Sequence, residues 1–281
     1  MLTNDQIRRL VDLALAEDLG KGDITTDSLI PKKKTGVASI LAKEKGILAG
    51  SEVARQVFFR VDPELKVRFR VKDGAGVSPG DIIATVEGRA ASILKAERTA
   101  LNFLQRLSGI ATETNRYVKA VEGLPVRIMD TRKTAPGLRA LEKYAVKVGG
   151  GKNHRMHLGD GVLIKDNHLA ALQSEGLSIK EIIALIRRNA PAATTVEVEV
   201  STPREALEAA EAGANIVMLD NMSLDAMRRA VKMLHRVALI EASGKITLDT
   251  VRAVAETGVD FISVGAITHS ARALDISLEL E

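Results

Sequence analysis

The sequence predicts an α/β protein in which an N-terminal α/β open-faced sandwich precedes an incomplete TIM-like barrel of about six or seven parallel strands. Three observations support this prediction. Short β-like runs separated by turn residues fill residues 36–88. After Pro125, strand and helix patterns alternate, which is typical of parallel βα units. The apolar runs of this second part end in polar or glycine-containing segments, and a barrel collects its functional residues at such strand ends.

The N-terminal part is expected to begin with a helix. Thr3 and Gln6 form a capping box, and apolar residues then recur at helical spacing as far as Leu19-Gly20. A polar loop is expected at 21–26. The further predictions are strands at 37–43, 65–71 and 82–86, a helix at 52–59, and a long helix at 92–122 that Ser108-Gly109 could interrupt. We predict a sandwich domain at 1–110 and a barrel domain at 111–270, with 271–281 packing back on the sandwich.

The second part is expected to repeat strand, loop and helix. The predicted strands are 126–130, 162–165, 195–200, 215–219, 237–241 and 260–264, and the predicted helices are 137–148, 179–189, 203–212, 224–234 and 248–257. A doubly wound open sheet is the competing arrangement, but its ligand crevice uses only the few strands at the switch point. Polar residues at the end of every strand therefore favour the barrel.

Composition excludes several classes of function. The formal net charge is only +4 and aromatic residues make up 2%, which argues against a nucleic-acid-binding surface with stacking side chains. The chain has no cysteine, so disulfides, thiolate catalysis and cysteine-ligated metals are excluded. Neither a signal segment nor an apolar run of membrane-spanning length is present, and we expect a cytoplasmic protein with no membrane partner.

A dense group of cations lies between apolar runs. The group comprises Arg132, Lys133, Lys152, His154, Arg155 and Lys165, with His157 and His168 nearby. A solvated helix face would instead interleave acids with the cations. This pattern predicts a multiply anionic ligand at the strand ends. The histidines lack metalloprotease spacing, and the glycines before Lys152 lack P-loop spacing.

Two acids follow at the ends of later strands. A carboxylate at the end of an apolar strand is costly without a partner, and Glu199 and Asp220 both occupy such positions. They could bind ribose hydroxyls, hold Mg²⁺ through water or stabilise a developing cation; a structural pairing with local Lys or Arg is the alternative. Glu197 is expected to point away from the site and is the weaker candidate.

Small residues end the last two strands. Ser243-Gly244 and Gly265-Ala266 would let backbone N–H groups approach a phosphate, although tight βα turns alone would explain them too. Lys165 admits a separate role, because a desolvated lysine at a barrel strand end can form a Schiff base.

Several segments in this order resemble one family over nearly the whole chain. They are Glu17-Asp18-Leu19-Gly20, Gly22-Asp23-Ile24-Thr25-Thr26, Glu97-Arg98-Thr99-Ala100-Leu101-Asn102, Ser108-Gly109-Ile110-Ala111-Thr112, Asp130-Thr131-Arg132-Lys133-Thr134, Asn153-His154-Arg155, Ile164-Lys165-Asp166-Asn167-His168, Val196-Glu197-Val198-Glu199, Leu219-Asp220-Asn221, Glu241-Ala242-Ser243-Gly244 and Ser263-Val264-Gly265-Ala266-Ile267-Thr268-His269-Ser270. The chain is similar in these segments to the quinolinate phosphoribosyltransferases (nicotinate-nucleotide pyrophosphorylases, carboxylating), which are type II phosphoribosyltransferases.

The resemblance implies a two-domain fold of the kind predicted above and a pentosyltransferase reaction of de novo NAD biosynthesis. Quinolinate and phosphoribosyl pyrophosphate would give nicotinate mononucleotide, pyrophosphate and CO₂, with Mg²⁺ and without an organic cofactor. It also implies a homodimer in which Arg98 completes the partner's site, and it leaves open whether the dimer assembles further.

The resemblance assigns roles to individual residues. Arg98, Arg132, Lys133, Arg155 and Lys165 would hold the dicarboxylate and pyrophosphate, with Thr131 and His154 in the same wall. Glu199 and Asp220 would contact the ribose hydroxyls and, through the bound pyrophosphate, Mg²⁺; Lys133, Lys165, Glu199 and Asp220 would be catalytic. Ser243, Gly244, Val264, Gly265 and Ala266 would bind the 5′-phosphate. Lys245 and His157 depart from the family pattern, where glycine or asparagine and a small residue are usual; we expect a phosphate contact from Lys245 and local variation at His157.

Three other functions are compatible with parts of the pattern. They are the molybdenum-transport relative of the same family, a Schiff-base aldolase that uses Lys165, and a basic nucleic-acid binder. The complete set of cations and the Glu199 and Asp220 pair favour the transferase over the molybdenum-transport relative. Low aromatic content and the acids at the strand ends argue against the nucleic-acid binder, and borohydride trapping would discriminate the aldolase.

Overall fold

The computed structural model describes residues 2–281, apart from the side chain of Gln173. Contacts divide the chain into two compact units. The first unit contains the residues up to Asn115 together with Thr134–Gly150 and Ala266–Glu281, and the second contains Arg116–Lys133 and Gly151–Gly265. Since neither unit is one continuous segment, the domain boundaries expected from the sequence stay predictions.

The elements follow one another in chain order. They are α1 (Asn4–Leu19), α2 (Ile24–Leu29), β1 (Thr35–Ala42), β2 (Gly46–Ile47), α3 (Ser51–Val61), β3 (Lys66–Phe69), β4 (Gly76–Val77), β5 (Ile82–Arg89), α4 (Ala90–Ala120), β6 (Arg127–Met129), α5 (Arg139–Val148), β7 (Val162–Ile164), α6 (Asp166–Gln173), α7 (Ile179–Asn189), β8 (Val196–Val200), α8 (Pro203–Glu211), β9 (Ile216–Asp220), α9 (Leu224–Leu234), β10 (Leu239–Ser243), α10 (Val251–Ala255), β11 (Phe261–Ser263), α11 (Ala266–His269) and β12 (Ile276–Leu280).

The first helix begins as the sequence predicts, but the loop after it is shorter than expected. Thr3 Oγ1 accepts a hydrogen bond from the Gln6 backbone N–H at 3.2 Å, and Gln6 Oε1 accepts one from the Thr3 N–H at 3.0 Å. The loop expected at 21–26 covers only residues 21–23, because Asp23 Oδ1 accepts the Thr26 N–H at 2.9 Å and so starts helix α2.

Helix α4 is not interrupted at Ser108-Gly109. Ser108 Oγ instead accepts a hydrogen bond from the Ala49 N–H at 3.0 Å. A Cβ atom at Gly109 would lie 2.0 Å from the carbonyl oxygen of Arg272, so glycine is needed for close backbone approach. The sequence signal of a helix break was in fact the signal of a packing contact.

The first unit contains a four-stranded antiparallel sheet in the order β12-β1-β5-β3. Strand β1 alternates burial along its length and places Ala38, Ile40 and Ala42 in the core with no exposed surface. The last strand, β12, pairs with β1 from Ala38 opposite Leu280 to Ala42 opposite Ile276. The C-terminal segment is thus an edge strand of the N-terminal sheet.

The second unit contains a six-stranded parallel sheet in the order β6-β11-β10-β9-β8-β7. Strands β7 to β11 are neighbours in chain order, and β11 is followed by β6, the first strand of the set. A doubly wound sheet reverses its order at a switch point, whereas this order closes on itself. Within residues 2–281, β6 and β7 do not pair with each other. The incomplete barrel is therefore confirmed, and its opening lies between these two strands.

Parallel strands end at the same edge of a sheet, and this fact positions the site. Pairing sets Ser243 opposite Asp220, and it sets Glu199 opposite Met218. None of the helices in residues 2–281 combines the length and the apolar character that crossing a membrane would require.

Candidate active site

A cavity of about 530 Å³ lies at the carboxyl ends of the barrel strands. Its lining comes entirely from the second unit and consists of Thr131, Arg132, Lys133, His154, Arg155, Leu163, Lys165, Glu199, Met218, Asp220, Asn221, Glu241, Ser243, Gly244, Lys245 and Ser263. The cations predicted from the early strands and the acids predicted from the middle strands thus share one cavity.

One wall of the cavity carries the cations. Burial lowers the pKa of the Arg155 guanidinium, repulsion from Arg132 lowers it further, and the negative charge of Glu197 opposes both effects. Arg155 Nη1 also donates to the carbonyl oxygen of Gly161 at 3.0 Å, which orients the side chain. Two guanidinium groups that repel each other in a partly buried site favour an anionic ligand, because an anion relieves the repulsion.

Two hydrogen bonds hold the segments that carry this wall. Asp130 is fully buried at the end of β6, and its Oδ1 accepts the backbone N–H of His154 at 2.8 Å. Thr131 Oγ1 accepts the backbone N–H of Lys133 at 3.0 Å. Asp130 therefore joins the end of β6 to the segment that precedes β7, and it brings two cation-bearing stretches of sequence together.

The facing wall carries the predicted acids. Burial raises the pKa of Glu199, nearby Asp220 and Asp166 raise it further, and Lys165 lowers it. Two carboxyl groups that lie close enough to repel each other bind a cation or hydroxyl donors well. Glu199 and Asp220 have the chemistry expected of them, although their role remains a prediction.

The turn after β10 supplies small residues and one unusual lysine. Gly244 and Lys245 both have positive φ, at 97° and 43°. Most L residues are strained in this region, whereas glycine is not and asparagine is strained less, which explains why glycine or asparagine is the expected residue at 245. The exposed Lys245 side chain belongs to the cavity lining.

Four predicted binding residues lie outside this lining. The Val264 N–H donates to the carbonyl oxygen of Met129 at 2.9 Å, and its side chain is buried, so Val264 serves the sheet. Gly265 follows directly but is not part of the lining. Arg98 and Ala266 belong to the first unit, where the Arg98 side chain is 61% exposed.

Two of the three histidines in the cation stretch contact nearby residues and do not line the cavity. His168 Nδ1 accepts the backbone N–H of Lys165 at 2.9 Å and so caps α6, a helix that the sequence prediction missed. His157 is exposed, with its Nδ1 3.0 Å from Asp160 Oδ1. His154 alone of these three lines the cavity.

The expectation that Glu197 points away from the site was wrong. Residues two apart on a strand lie on the same face, so Glu197 and Glu199 both face the barrel interior, with Glu197 one layer deeper. Its Oε2 lies 3.0 Å from His154 Nε2, and Glu241 Oε2 lies 3.7 Å from the same nitrogen. Glu241 was also missed, although it stands two residues before Ser243 and shares its face.

The two contacts of the His154 ring fix its tautomer. The backbone N–H of Arg155 donates to His154 Nδ1 at 2.8 Å, so Nδ1 carries no proton and Nε2 is the N–H that faces Glu197. The Glu241 oxygens make no hydrogen bond of ordinary geometry. Burial, followed by the charge of Glu197, raises the pKa of Glu241 to about 8. We therefore assign the protonated form to Glu241.

The same three side chains could in principle surround a metal ion, since their ligand atoms lie within 4.8 Å of one another. The hydrogen-bond pattern argues against this interpretation. A metal-bound histidine donates from its second ring nitrogen, whereas Nδ1 of His154 accepts. A proton held by Glu241 accounts for the two neighbouring acids without a metal.

The fold and the cavity define the class of protein. An α/β barrel that sets a wall of cations opposite a pair of acids at its strand ends is an enzyme site for a multiply anionic substrate.

Comparison with known proteins gives the family. Residues 23–108 match the family described as "Quinolinate phosphoribosyl transferase, N-terminal domain", and residues 110–279 match its C-terminal domain. The chain belongs to the quinolinate phosphoribosyltransferase family.

Individual relatives agree with this assignment. The "Probable nicotinate-nucleotide pyrophosphorylase [carboxylating]" of Bacillus subtilis is 42% identical over 98% of this chain and 93% of its own length. The "Quinolinate phosphoribosyltransferase [decarboxylating] 2, mitochondrial" of Nicotiana glauca is 43% identical over 98% of this chain and 82% of its own length. The crystal structure of NadC from Streptococcus pyogenes is 42% identical, with a TM-score of 0.95 over 100% of this chain and 98% of its own.

Proposed function

We propose that this protein catalyses the reaction of quinolinate with phosphoribosyl pyrophosphate to give nicotinate mononucleotide, pyrophosphate and CO₂, a step of de novo NAD biosynthesis. It is a pentosyltransferase. The observation that carries the proposal is that the cations and the Glu199 and Asp220 pair line the same cavity. Both substrates are polyanions, and one of them also presents ribose hydroxyls.

The cation wall would bind the dicarboxylate and the pyrophosphate. The planar guanidinium groups of Arg132 and Arg155 suit paired carboxylates, because each can donate two parallel hydrogen bonds to one carboxylate. Lys133 and Lys165, which are exposed at the cavity mouth, serve better as point charges for the leaving pyrophosphate. Thr131 and His154 belong to the same wall, and His154 acts there through its hold on Arg155.

The acid wall would act on the ribose. As pyrophosphate leaves, the C1 carbon of the ribose gains positive charge, and the Glu199 and Asp220 carboxylates would stabilise it while holding the hydroxyls. The pyridine nitrogen of quinolinate then forms the new bond to C1. Position and electrostatics supply most of the rate enhancement in such a site.

A divalent ion fits this wall. Mg²⁺ prefers carboxylate oxygens and retains several waters, and it binds through few protein ligands together with phosphate oxygens. Mutual repulsion already affects the pKa of Glu199, so the donor set suits a cation. Glu199 and Asp220 would hold it indirectly, through the bound pyrophosphate, and its charge would neutralise the departing anion.

Decarboxylation follows from the new bond. Once the ring nitrogen carries the ribose, it is positively charged and can accept the electron pair left behind when the adjacent C–C bond breaks. CO₂ departs, and a proton takes its place on the ring carbon.

The turn after β10 would bind the 5′-phosphate. Ser243 and Gly244 offer a hydroxyl and an accessible backbone, and Lys245 adds a positive charge. Val264 would not contribute a phosphate contact, because its side chain is buried and its backbone N–H donates to the carbonyl oxygen of Met129.

We further propose a homodimer in which Arg98 reaches the partner subunit's site. Its side chain is mostly exposed, and it makes a long ion pair of 4.0 Å with neighbouring Glu97. An exposed arginine is available to an anion on another chain.

The test of the function is direct. Purified protein with quinolinate, phosphoribosyl pyrophosphate and Mg²⁺ should release CO₂ and form nicotinate mononucleotide. Turnover of nicotinate without turnover of quinolinate would contradict the substrate assignment. Borohydride trapping with a carbonyl substrate separates this function from Schiff-base chemistry at Lys165, because the transferase gives no adduct.

A further inference from the structure

We infer that Asn221, which directly follows β9, is a positioning residue for phosphoribosyl pyrophosphate: it fixes the Asp220 carboxylate and the Ser243-Gly244 turn relative to each other. This inference rests on the proposed function, because it names how that site holds one of its two substrates. Asn221 lines the cavity and was not among the predicted site residues.

The backbone of Asn221 is held in a left-handed conformation. Its φ is 51°, in a region that asparagine tolerates better than most residues. Its N–H donates to the carbonyl oxygen of Ser243 at 3.0 Å, which ties the end of β9 to the end of β10. Among the described non-glycine residues only Asn221, Lys245 and Arg236 have positive φ, and the first two line the cavity. Strained backbone of this kind concentrates at functional sites.

The side chain of Asn221 contacts both groups that it would position. Its Nδ2 donates to Asp220 Oδ2 at 2.6 Å. Its amide also lies against Gly244, where an added Cβ would be 2.3 Å from Asn221 Oδ1 and 2.6 Å from Asn221 Cγ. Glycine at 244 is therefore required by the Asn221 side chain as well as by its own φ of 97°.

One amide thus joins the acid assigned to the ribose and the turn assigned to the 5′-phosphate. These two groups belong to the same substrate, phosphoribosyl pyrophosphate. The guanidinium groups of Arg132 and Arg155, assigned to quinolinate, are held by other contacts, including the bond from Arg155 to Gly161. Loss of the Asn221 amide should therefore affect the two substrates unequally, whereas a general structural defect would affect both.

The decisive variant is Asn221→Gly, because glycine keeps the left-handed backbone and removes only the amide side chain. Arg236→Gly is the matched control, since Arg236 is exposed, has a φ of 64° and lies outside the cavity lining. We expect Asn221→Gly to raise KM and Kd for phosphoribosyl pyrophosphate about 3- to 10-fold, the loss of about one hydrogen bond, with KM for quinolinate changed less than about 2-fold. Arg236→Gly should change neither constant.

Calorimetric titration with phosphoribosyl pyrophosphate separates this inference from the proposed function. If the wild-type protein does not turn over quinolinate, the proposed function fails, yet the affinities of wild type and Asn221→Gly still decide the role of Asn221. An unchanged affinity, or an equal loss for both substrates, would overturn the inference.

A double-mutant cycle tests the contact with Gly244. Gly244→Ala should weaken phosphoribosyl pyrophosphate binding because the new methyl group collides with Asn221. In the Asn221→Gly/Gly244→Ala double variant part of that collision is gone, so the combined loss of affinity should be smaller than the product of the two single losses. Losses that multiply in full would contradict the link between the two turns.

Discussion

The ring of His154 connects a buried carboxylate to the backbone of Arg155, a residue of the cation wall. His154 Nε2 donates to Glu197 Oε2 across 3.0 Å, and His154 Nδ1 accepts the Arg155 backbone N–H at 2.8 Å. Because Nε2 faces an acceptor and Nδ1 faces a donor, the tautomer and the orientation of the ring are both determined. The position of Arg155 therefore depends on an acid that lies below the cavity.

Removal of the Glu197 acceptor should disturb both stability and quinolinate binding. Glu197→Leu leaves the buried His154 N–H without an acceptor, which should cost about 1–3 kcal/mol of unfolding free energy and raise KM for quinolinate. Glu197→Gln retains a carbonyl oxygen and should lose less in both measurements. Urea unfolding and initial-rate kinetics decide the matter, and a Glu197→Leu protein with wild-type stability and KM would refute the connection.

The protonated state assigned to Glu241 predicts how stability depends on pH. The unfolded carboxyl releases its proton near the ordinary value of 4.5, whereas burial raises the pKa in the folded protein to about 8. Folding therefore takes up a proton between these values, and this contribution to stability is present below pH 4.5 and is lost as the pH rises toward 8.

Glu241→Gln removes this titration and keeps the shape of the side chain. Its unfolding free energy relative to that of the wild type should increase steadily as the pH rises from about 4.5 to 8. Denaturant titrations across this range measure the difference, and Glu211→Gln, a change at an exposed acid, is the control. A pH-independent difference would mean that Glu241 is not the group that holds the proton.

Lys245 combines backbone strain with a proposed phosphate contact. Asparagine tolerates the left-handed conformation better than lysine, so Lys245→Asn should gain about 0.5–1 kcal/mol of stability. The same change removes a positive charge and should raise KM for phosphoribosyl pyrophosphate. Arg236→Asn should give the gain in stability without the change in KM. If Lys245→Asn has an unaltered KM, the lysine has no part in binding.

Arg132 should be needed for quinolinate and not for the fold. Arg132→Ala is expected to raise KM for quinolinate about 10- to 150-fold, since a charged hydrogen-bonded contact is worth about 1.5–3 kcal/mol. Its melting temperature should change little. Lys152→Ala is the control, because Lys152 is an exposed cation of the same stretch outside the cavity lining. Normal quinolinate affinity in Arg132→Ala would show that its proposed role is wrong.

The proposed dimer predicts complementation between two inactive variants. Arg98→Ala and Asp220→Asn should each be inactive, the first through loss of the partner's arginine and the second through loss of its own acid. Mixed dimers contain one site with both native residues, because an isologous dimer exchanges its contributions reciprocally. Unfolding and refolding the two proteins together should restore activity, and a mixture that stays inactive would argue against a shared site.

Much of the fold follows from local patterns. The capping box at Thr3, the strand and helix rhythm after Pro125 and the polar strand ends all predict the observed elements. The errors arose where a local signal has two physical meanings. Glycine at 109 indicated a break in a helix but serves a close contact with Arg272. Asp23 stands in a polar loop by composition, yet it starts a helix by accepting an N–H.

The sequence predicted the residues at the rim of the cavity better than the deeper residues. Arg132, Lys165, Glu199 and Asp220 end apolar runs, and this is visible in the sequence because a charge interrupts a hydrophobic pattern. Glu197 was placed on the wrong face, although the two-residue period of a strand sets it beside Glu199. No sequence pattern indicated Glu241, because a single acid within an apolar strand gives the same pattern whether its side chain faces the core or a functional site.

The sequence by itself determined the class of fold, the family resemblance and the separation of cations and acids among strand ends. It could do so because hydrophobic periodicity and the end of each strand are local properties. Only the tertiary structure decided which buried acid holds a proton and which residue joins Asp220 to Gly244. These relationships depend on distances between strands that are far apart in the chain, and such distances exist only after the barrel has formed.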